Sequence, residues 1–426
     1  MTDGGDAVEA AAGAAGGWAK AGRHAGLAGA AIGIVAAGAA AGVAMERMTV
    51  GRGMRRRART ALDAVGPYGT LRGTPGTAVA ADGTPLYYEI DEAGATAAAP
   101  RARSAKGAAA GSGRAERAAA QQAAEVRRRL AGPRRRSPAP TVVFCHGYCL
   151  NQDSWHFQRA ALHGVVRTVH WDQRSHGRSG RSRAVGDGGE PVTIDLLGRD
   201  LKAVLDAAAP EGPLVLVGHS MGGMTVMALA DQFPEFVAER VAGVALIGTS
   251  AGRLSEVAFG LPSFGVKAFH RLAPGLLKVL GAQSDVVERG RRATADLFAG
   301  IIKRYSFGTP QDVDPGVARF AERLIEATPI DVVAEFYPAF ATHDKAAALV
   351  AYDTVASLVL AGERDLITPA DHSEAIAELL PAARLLKVAD AGHLVMLERP
   401  ELVTEELVTL IERAGPAGRR GRSAGA

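Results

Sequence analysis

The sequence predicts an α/β fold, a mostly parallel central sheet flanked by helices and interrupted by an inserted helical cap. Three observations predict it. From Thr141 onward short apolar runs recur, bounded by Gly, Pro or Asp and mostly separated by helix-length segments, as helical crossovers between parallel strands require. The runs are apolar throughout rather than alternating, which suits strands covered on both faces. Between Gly248-Thr249-Ser250 and the run at Ser357 the gap is too long for one crossover and carries a helical stripe of its own.

Composition permits such a fold. The 426 residues are 47% hydrophobic and 22% charged, which supplies a large core and excludes wholesale disorder. Only 5% are aromatic against 52 glycines and 21 prolines, so part of the chain is low-complexity spacer. The net charge of +4 is segmental: residues 46–59 carry +5 and residues 101–136 carry +9, which leaves the folded part acidic. No specific nucleic-acid partner is therefore expected. Two cysteines, Cys145 and Cys149, exclude a disulfide framework and are too few ligands for zinc. No metal and no organic cofactor are expected.

The elements follow in order. Residues 1–60 form an Ala/Gly-rich leader whose uncharged run, 25–45, is long enough at ~1.5 Å per residue to cross a hydrocarbon core of ~30 Å. Gly29/Gly33 and Gly38/Gly42 give two GxxxG pairs, which suit close helix packing in a membrane. Arg47, Arg52, Arg55, Arg56 and Arg57 follow the run instead of preceding it, which argues against a cleaved signal peptide. By the positive-inside rule they hold that end in the cytoplasm, so the expectation is membrane anchoring through 25–45 with the large domain cytoplasmic. Within 61–94, TAVAADGTPLYYEID reads as two strands about an Asp82-Gly83 turn. Residues 95–140 are read as a disordered basic insert, a solvated surface loop with at most a short helix at AERAAAQQAAEVRRRL.

The α/β core is completed by 141–250 and 353–414, with strands in TVVFC, VVRTVHW, LVLVG, VAGVALIG, SLVLAG and RLLKVA. Residues 251–352 make the cap, where Phe298, Ile301, Ile302 and Tyr305 stand at amphipathic spacing. Residues 415–426 are read as a disordered tail.

The strongest chemical signal is Gly218-His219-Ser220-Met221-Gly222, a G-x-S-x-G between the strand LVLV and the helical segment MTVMALADQF. A sharp strand-to-helix turn needs Gly218 and Gly222 at its flanks, and it lifts the Ser220 hydroxyl out of the sheet beside a helix N-terminus that favours an anion. A serine needs a base within reach and a group to orient that base. Asp365, just past SLVLA, and His393, just past RLLKVA, supply both at the carboxyl edge of the sheet. Glu363 is the rival acid, expected to point away. His146, His176 and His219 lie near the same edge and are read as loop or strand-end hydrogen-bonding groups. Met221 N–H is one oxyanion donor, and Tyr148 N–H, following the flexible Gly147 in His146-Gly147-Tyr148, is the other.

These motifs together resemble the α/β-hydrolase fold superfamily, in its serine hydrolase branch with a helical cap, esterase- or lipase-like. FCHGY at 144–148, WDQRSHGRSG at 171–180, GHSMGG at 218–223, LAGERDLITP at 360–369 and AGHLVMLERP at 391–400 carry the resemblance, which runs from about Thr77 to Ala414 apart from the insert. It implies Ser220 as nucleophile, Asp365 as acid, His393 as base, and Met221 with Tyr148 at the oxyanion hole. Haloalkane dehalogenases and epoxide hydrolases of this fold use an aspartate nucleophile, so Ser220 disfavours both despite the cap tyrosines Tyr305 and Tyr337. HGYC stands where many lipases show HGGG. The expected activity is hydrolysis of a small-molecule carboxylic ester through an acyl-enzyme. Phe259, Leu261, Phe264, Phe269, Leu276, Leu277, Phe298 and Phe340 in the cap suit a medium-chain or lipid-like acyl group. A cofactor-free perhydrolase or haloperoxidase, a C–C bond hydrolase on the same triad, and a noncatalytic membrane-associated binding protein are the alternatives.

Overall fold

The computed structural model describes residues 68–94, 112–130, 139–183, 189–254, 257, 275 and 295–415. In chain order the elements are β1 (Thr74–Val79), β2 (Pro85–Asp91), α1 (Ser112–Leu130), β3 (Thr141–Cys145), α2 (His156–Leu162), β4 (Thr168–Trp171) and α3 (Ile194–Ala208). There follow β5 (Leu214–His219), α4 (Met221–Gln232), α5 (Pro234–Arg240), β6 (Val241–Ile247), α6 (Ala295–Ser306), α7 (Pro315–Glu326) and α8 (Ile330–Ala341). The chain then adds β7 (Ala356–Gly362), α9 (Ala370–Leu379), β8 (Arg384–Val388), α10 (Val395–Glu398) and α11 (Pro400–Ala414).

All eight strands join one sheet in the order β1-β2-β4-β3-β5-β6-β7-β8. The β1–β2 and β2–β4 pairs are antiparallel and the others parallel. Asp82-Gly83 makes the β1–β2 turn: Gly83 takes φ 84° and Asp82 Oδ1 accepts Thr84 N–H at 3.0 Å.

The central strands are buried along their whole length, as their unbroken apolar runs require. Successive residues serve opposite faces. Val142, Phe144, Val215 and Val217 pack with Trp155 and with Leu407 and Ile411 of α11 on one side. Val143, Cys145, Leu214 and Leu216 pack with Leu201 and Leu205 of α3 and Met227 of α4 on the other. Helix starts are chemically marked: Thr193 caps α3 by accepting Leu196 N–H, and Asp314 caps α7 by accepting Gly316 and Val317 N–H ahead of Pro315.

Between β6 and β7 lie the helices α6, α7 and α8, in the stretch read as a cap. Val317, Phe320, Ala321 and Leu324 of α7 join the apolar face that contains Trp155, while Val332, Phe336 and Ala339 of α8 pack against Met221 and Met224 at the start of α4. Helix α8 is thus seated on the first turn after Ser220.

Within 95–140, read as a disordered insert with at most a short helix, Ser112–Leu130 is a 19-residue helix docked on α11. Val126 is buried, Arg129 pairs with Glu412 at 2.6 Å, and Gln122 donates to Glu401 O at 3.0 Å. Alanine and arginine favour helix, and the Val126/Leu130 spacing supplies just enough apolar surface to hold it. Residues 25–45, read as a membrane helix, lie outside the described residues; among the described residues no helix is long and apolar enough to cross a membrane.

A buried ion cluster fastens β2 to α2. Arg159 donates to Asp91 through Nε at 2.8 Å and to Glu89 through Nη2 at 2.7 Å, and both carboxylates have fully buried side chains. The Arg159 guanidinium holds the Asp91 carboxyl below the usual range although burial opposes it.

Candidate active site

Strand register brings the site together. Cys145 on β3 lies opposite Gly218 on β5, so Tyr148 and Ser220 leave the same edge of adjacent strands. His219 lies opposite Ile247 on β6, Ile247 opposite Leu360 on β7, and Gly362 opposite Val388 on β8. Asp365 and His393 therefore emerge a few residues later at that edge, where the parallel crossovers leave a crevice.

Ser220 occupies the turn between β5 and α4 at φ 52° and ψ −120°. A non-glycine residue there costs of order ~1–3 kcal/mol, which the surroundings must supply. Ser220 N–H donates to Ile247 O at 3.0 Å, and Ser220 O accepts Thr249 Oγ1–H at 2.7 Å together with Gly223 and Met224 N–H. Both flanking glycines are required by close approach. A Cβ on Gly218 would stand 2.5 Å from Gly222 O, and one on Gly222 would stand 2.2 Å from Cys145 O.

Asp365 and His393 form a hydrogen-bonded pair, His393 Nδ1 to Asp365 Oδ2 at 2.8 Å. The carboxylate can only accept, so Nδ1 carries the proton and Nε2 is left as the basic nitrogen. Asp365 is itself held: its Oδ1 accepts Ile367 N–H at 2.8 Å and Thr368 N–H at 3.0 Å, and its Oδ2 also accepts Thr368 Oγ1–H at 2.9 Å. Glu363, the rival acid, is exposed, whereas Asp365 is buried. Ser220 Oγ makes no hydrogen bond to His393 among the described residues. The link between them runs through the elbow, where His219 Nε2–H donates to His393 O at 2.9 Å with ring centroids 4.7 Å apart.

At the oxyanion position, Met221 N–H lies in the first turn of α4, where no intrahelical acceptor exists. Neither it nor Tyr148 N–H donates to a protein acceptor among the described residues. Three buried histidines, His146, His176 and His219, belong to the same loops and strand end. Burial pushes His146 down to about 4; burial and then the neighbouring His146 push His176 down to about 3; burial and then His393 push His219 well below the usual range. They serve as hydrogen-bonding groups, as read from the sequence, and not as bases.

Glu398 was not singled out from sequence. Its carboxylate accepts Gly392 N–H at 2.7 Å, Gly308 N–H at 3.2 Å and Thr309 N–H at 3.3 Å, fastening the loop that carries His393 to the turn after α6. A lone glutamate beside an arginine and a proline carries no pattern that reveals this. Of the cap residues named for an acyl group, Phe340 is described: its ring centroid lies 5.0 Å from that of Tyr148. The others lie outside the described side chains. Among the described residues no cluster of His, Cys, Asp and Glu could hold a metal ion.

Comparison with known proteins places the fold in a family. A model of the α/β hydrolase fold matches residues 140–400. The chain is 27% identical over 276 residues to the dihydrolipoyllysine-residue acetyltransferase component of the acetoin cleaving system of Pseudomonas putida, covering 64% of this chain and 63% of that protein. It thus spans a little under two thirds of that relative's length. It is 28% identical over 269 residues to the sn-1-specific diacylglycerol lipase of Mus musculus, covering 62% of this chain and 78% of the lipase. Among solved structures, an esterase from Rhodococcus superposes with a TM-score of 0.54 at 20% identity, over 80% of this chain and all (100%) of the esterase. The chain belongs to the α/β hydrolase fold family.

Proposed function

We propose that this α/β-fold hydrolase cleaves carboxylic esters through an acyl-enzyme formed on Ser220. The observation that carries the reading is the His393–Asp365 pair, with Nε2 as the basic nitrogen, at the sheet edge where Ser220 stands on its elbow. His393 Nε2 takes the Ser220 proton as Oγ attacks the ester carbonyl, and Asp365 holds the tautomer and balances the imidazolium. Met221 and Tyr148 N–H receive the oxyanion. The imidazolium gives its proton to the departing alkoxide, and a water activated by His393 then releases the acid.

The diacylglycerol lipase relative supports an ester substrate, and the partly exposed apolar side chains of Tyr148 and Phe340 support a medium-chain or lipid-like acyl group. The apolar run 25–45 with its basic flank supports membrane association, the catalytic domain on the cytoplasmic side. A stopped-flow p-nitrophenyl ester series from acetyl to dodecanoyl tests the activity. The expected result is a burst equal to the enzyme concentration, abolished in Ser220→Ala; turnover with no burst at any chain length, and undiminished in Ser220→Ala, would overturn the reading. Product analysis with acetate and peroxide, or with a dienoate, separates ester cleavage from perhydrolysis and C–C cleavage.

A further inference from the structure

The oxyanion donor Tyr148 N–H sits in a β-turn closed by Leu150 N–H donating to Gly147 O at 3.2 Å. Cys149, the next residue, is at φ 59°, a left-handed conformation that a non-glycine residue keeps only when its neighbours impose it. The turn places Cys149 at the position where φ is positive, and two side chains brace it there. His176 Nδ1 faces Arg174 O at 2.9 Å, and since a carbonyl only accepts, that nitrogen carries the proton and Nε2 is an acceptor. Cys149 N–H donates to this Nε2 at 3.3 Å. On the other side the Tyr148 hydroxyl donates to Val333 O in the cap helix α8. The Tyr148 ring is fixed in turn between Phe340, at 5.0 Å, and Phe336, at 6.3 Å, with His176 at 6.2 Å from Tyr148 and 4.9 Å from Phe336.

We infer that the side chains of His176 and Tyr148 are positioning residues for the oxyanion hole: His176 Nε2 anchors the Cys149 N–H and the Tyr148 hydroxyl hooks the cap carbonyl of Val333, and between them they aim the Tyr148 N–H. The inference rests on the acyl-enzyme reading of Ser220. It goes beyond that reading because it makes the oxyanion hole dependent on a docked cap helix. His146 repeats the device one step earlier, with Nδ1–H on Gly147 O at 2.8 Å and Nε2 accepting Gln173 N–H at 2.9 Å, so both flanks of the donor are pinned by a histidine in the same tautomer.

The test uses the full chain with p-nitrophenyl butyrate as substrate and an alkyl trifluoromethyl ketone as the tetrahedral mimic. His176→Phe keeps the ring packing and deletes the acceptor. It is expected to lower kcat about ten- to a hundredfold, less than the ~100- to 1,000-fold loss of a whole oxyanion donor. The ketone should weaken by the same factor while KM stays within about twofold. His176→Gln, which can accept and donate at the same places, should restore kcat to within about threefold. Tyr148→Phe, which keeps the backbone N–H, should lower kcat about three- to tenfold with KM unchanged. A rise in KM with kcat intact, or no change in kcat or ketone affinity, overturns the proposal. Should His176→Phe not fold, Tyr148→Phe and His176→Gln decide on the same readouts, and an unchanged kcat in Tyr148→Phe overturns it. Fluorophosphonate labelling of the wild type separates the two levels: absent labelling at Ser220 brings down the serine reading, whereas labelling with unaffected positioning variants brings down only this one.

Discussion

Acidification is expected to unfold this protein through its buried histidines. Burial holds His146 down to about 4, and burial with the adjacent His146 holds His176 down to about 3, whereas both return to about 6.5 when the chain unfolds. Below pH 6.5 the unfolded chain binds protons that the folded protein refuses, so stability rises with pH in this window and falls as pH drops from 6.5 toward 4. Each histidine contributes a slope of about 1.4 kcal/mol per pH unit, so at pH 5 the pair removes roughly 4 kcal/mol. That is a large part of the ~5–15 kcal/mol by which a domain is stable. His170 and His219, both held well below the usual range by burial, steepen the loss. Urea unfolding followed by tryptophan fluorescence at pH 7, 6 and 5 measures the slope in wild type and in His176→Gln. The variant must lose about 1.4 kcal/mol per pH unit of that slope. Stability that is flat between pH 6.5 and 5, or an identical slope in the variant, refutes the reasoning.

Other substitutions separate the remaining interactions. Asp365→Asn cannot supply the four acceptor positions that Ile367, Thr368 and His393 use, and its amide N–H favours the wrong His393 tautomer; kcat should fall by about 10,000-fold, read by steady-state hydrolysis. Gly222→Ala drives a Cβ to 2.2 Å from Cys145 O, a backbone atom that cannot yield, so calorimetry should show a loss of ~3 kcal/mol or more. Arg159→Met leaves the buried Asp91 without an arginine partner and Glu89 with Arg178 at 3.2 Å, for an expected cost of ~3–5 kcal/mol and faster amide exchange in the β1–β2 hairpin.

Much of the architecture is legible in the sequence because burial on both faces leaves a local trace. TVVFC, LVLVG and SLVLAG announce central strands by being apolar throughout, so Ser220 and Asp365 can each be placed after such a run, while His393 follows the edge strand RLLKV, whose Arg384 and Lys387 are exposed. The Asp82-Gly83 turn is equally local. What cannot be read depends on contacts between distant residues. The helix Ser112–Leu130 offers only Val126 and Leu130 as an apolar stripe, and its docking is decided by Glu412 and Glu401, nearly three hundred residues away. The roles of His146, His176 and Glu398 follow from which backbone groups the fold leaves facing them. The left-handed Cys149 carries no glycine to mark it; the Gly147–Leu150 turn places it there and His176 accepts its N–H.

The central claim is that Ser220 is an activated nucleophile. Labelling the 426-residue chain with a fluorophosphonate and mapping the modified peptide by mass spectrometry tests it most directly, with Ser220→Ala and Asp365→Asn in parallel. The account predicts one adduct, on Ser220, absent in Ser220→Ala and much slower to form in Asp365→Asn. A folded wild-type protein that takes no label, or a label that persists in Ser220→Ala, would contradict it.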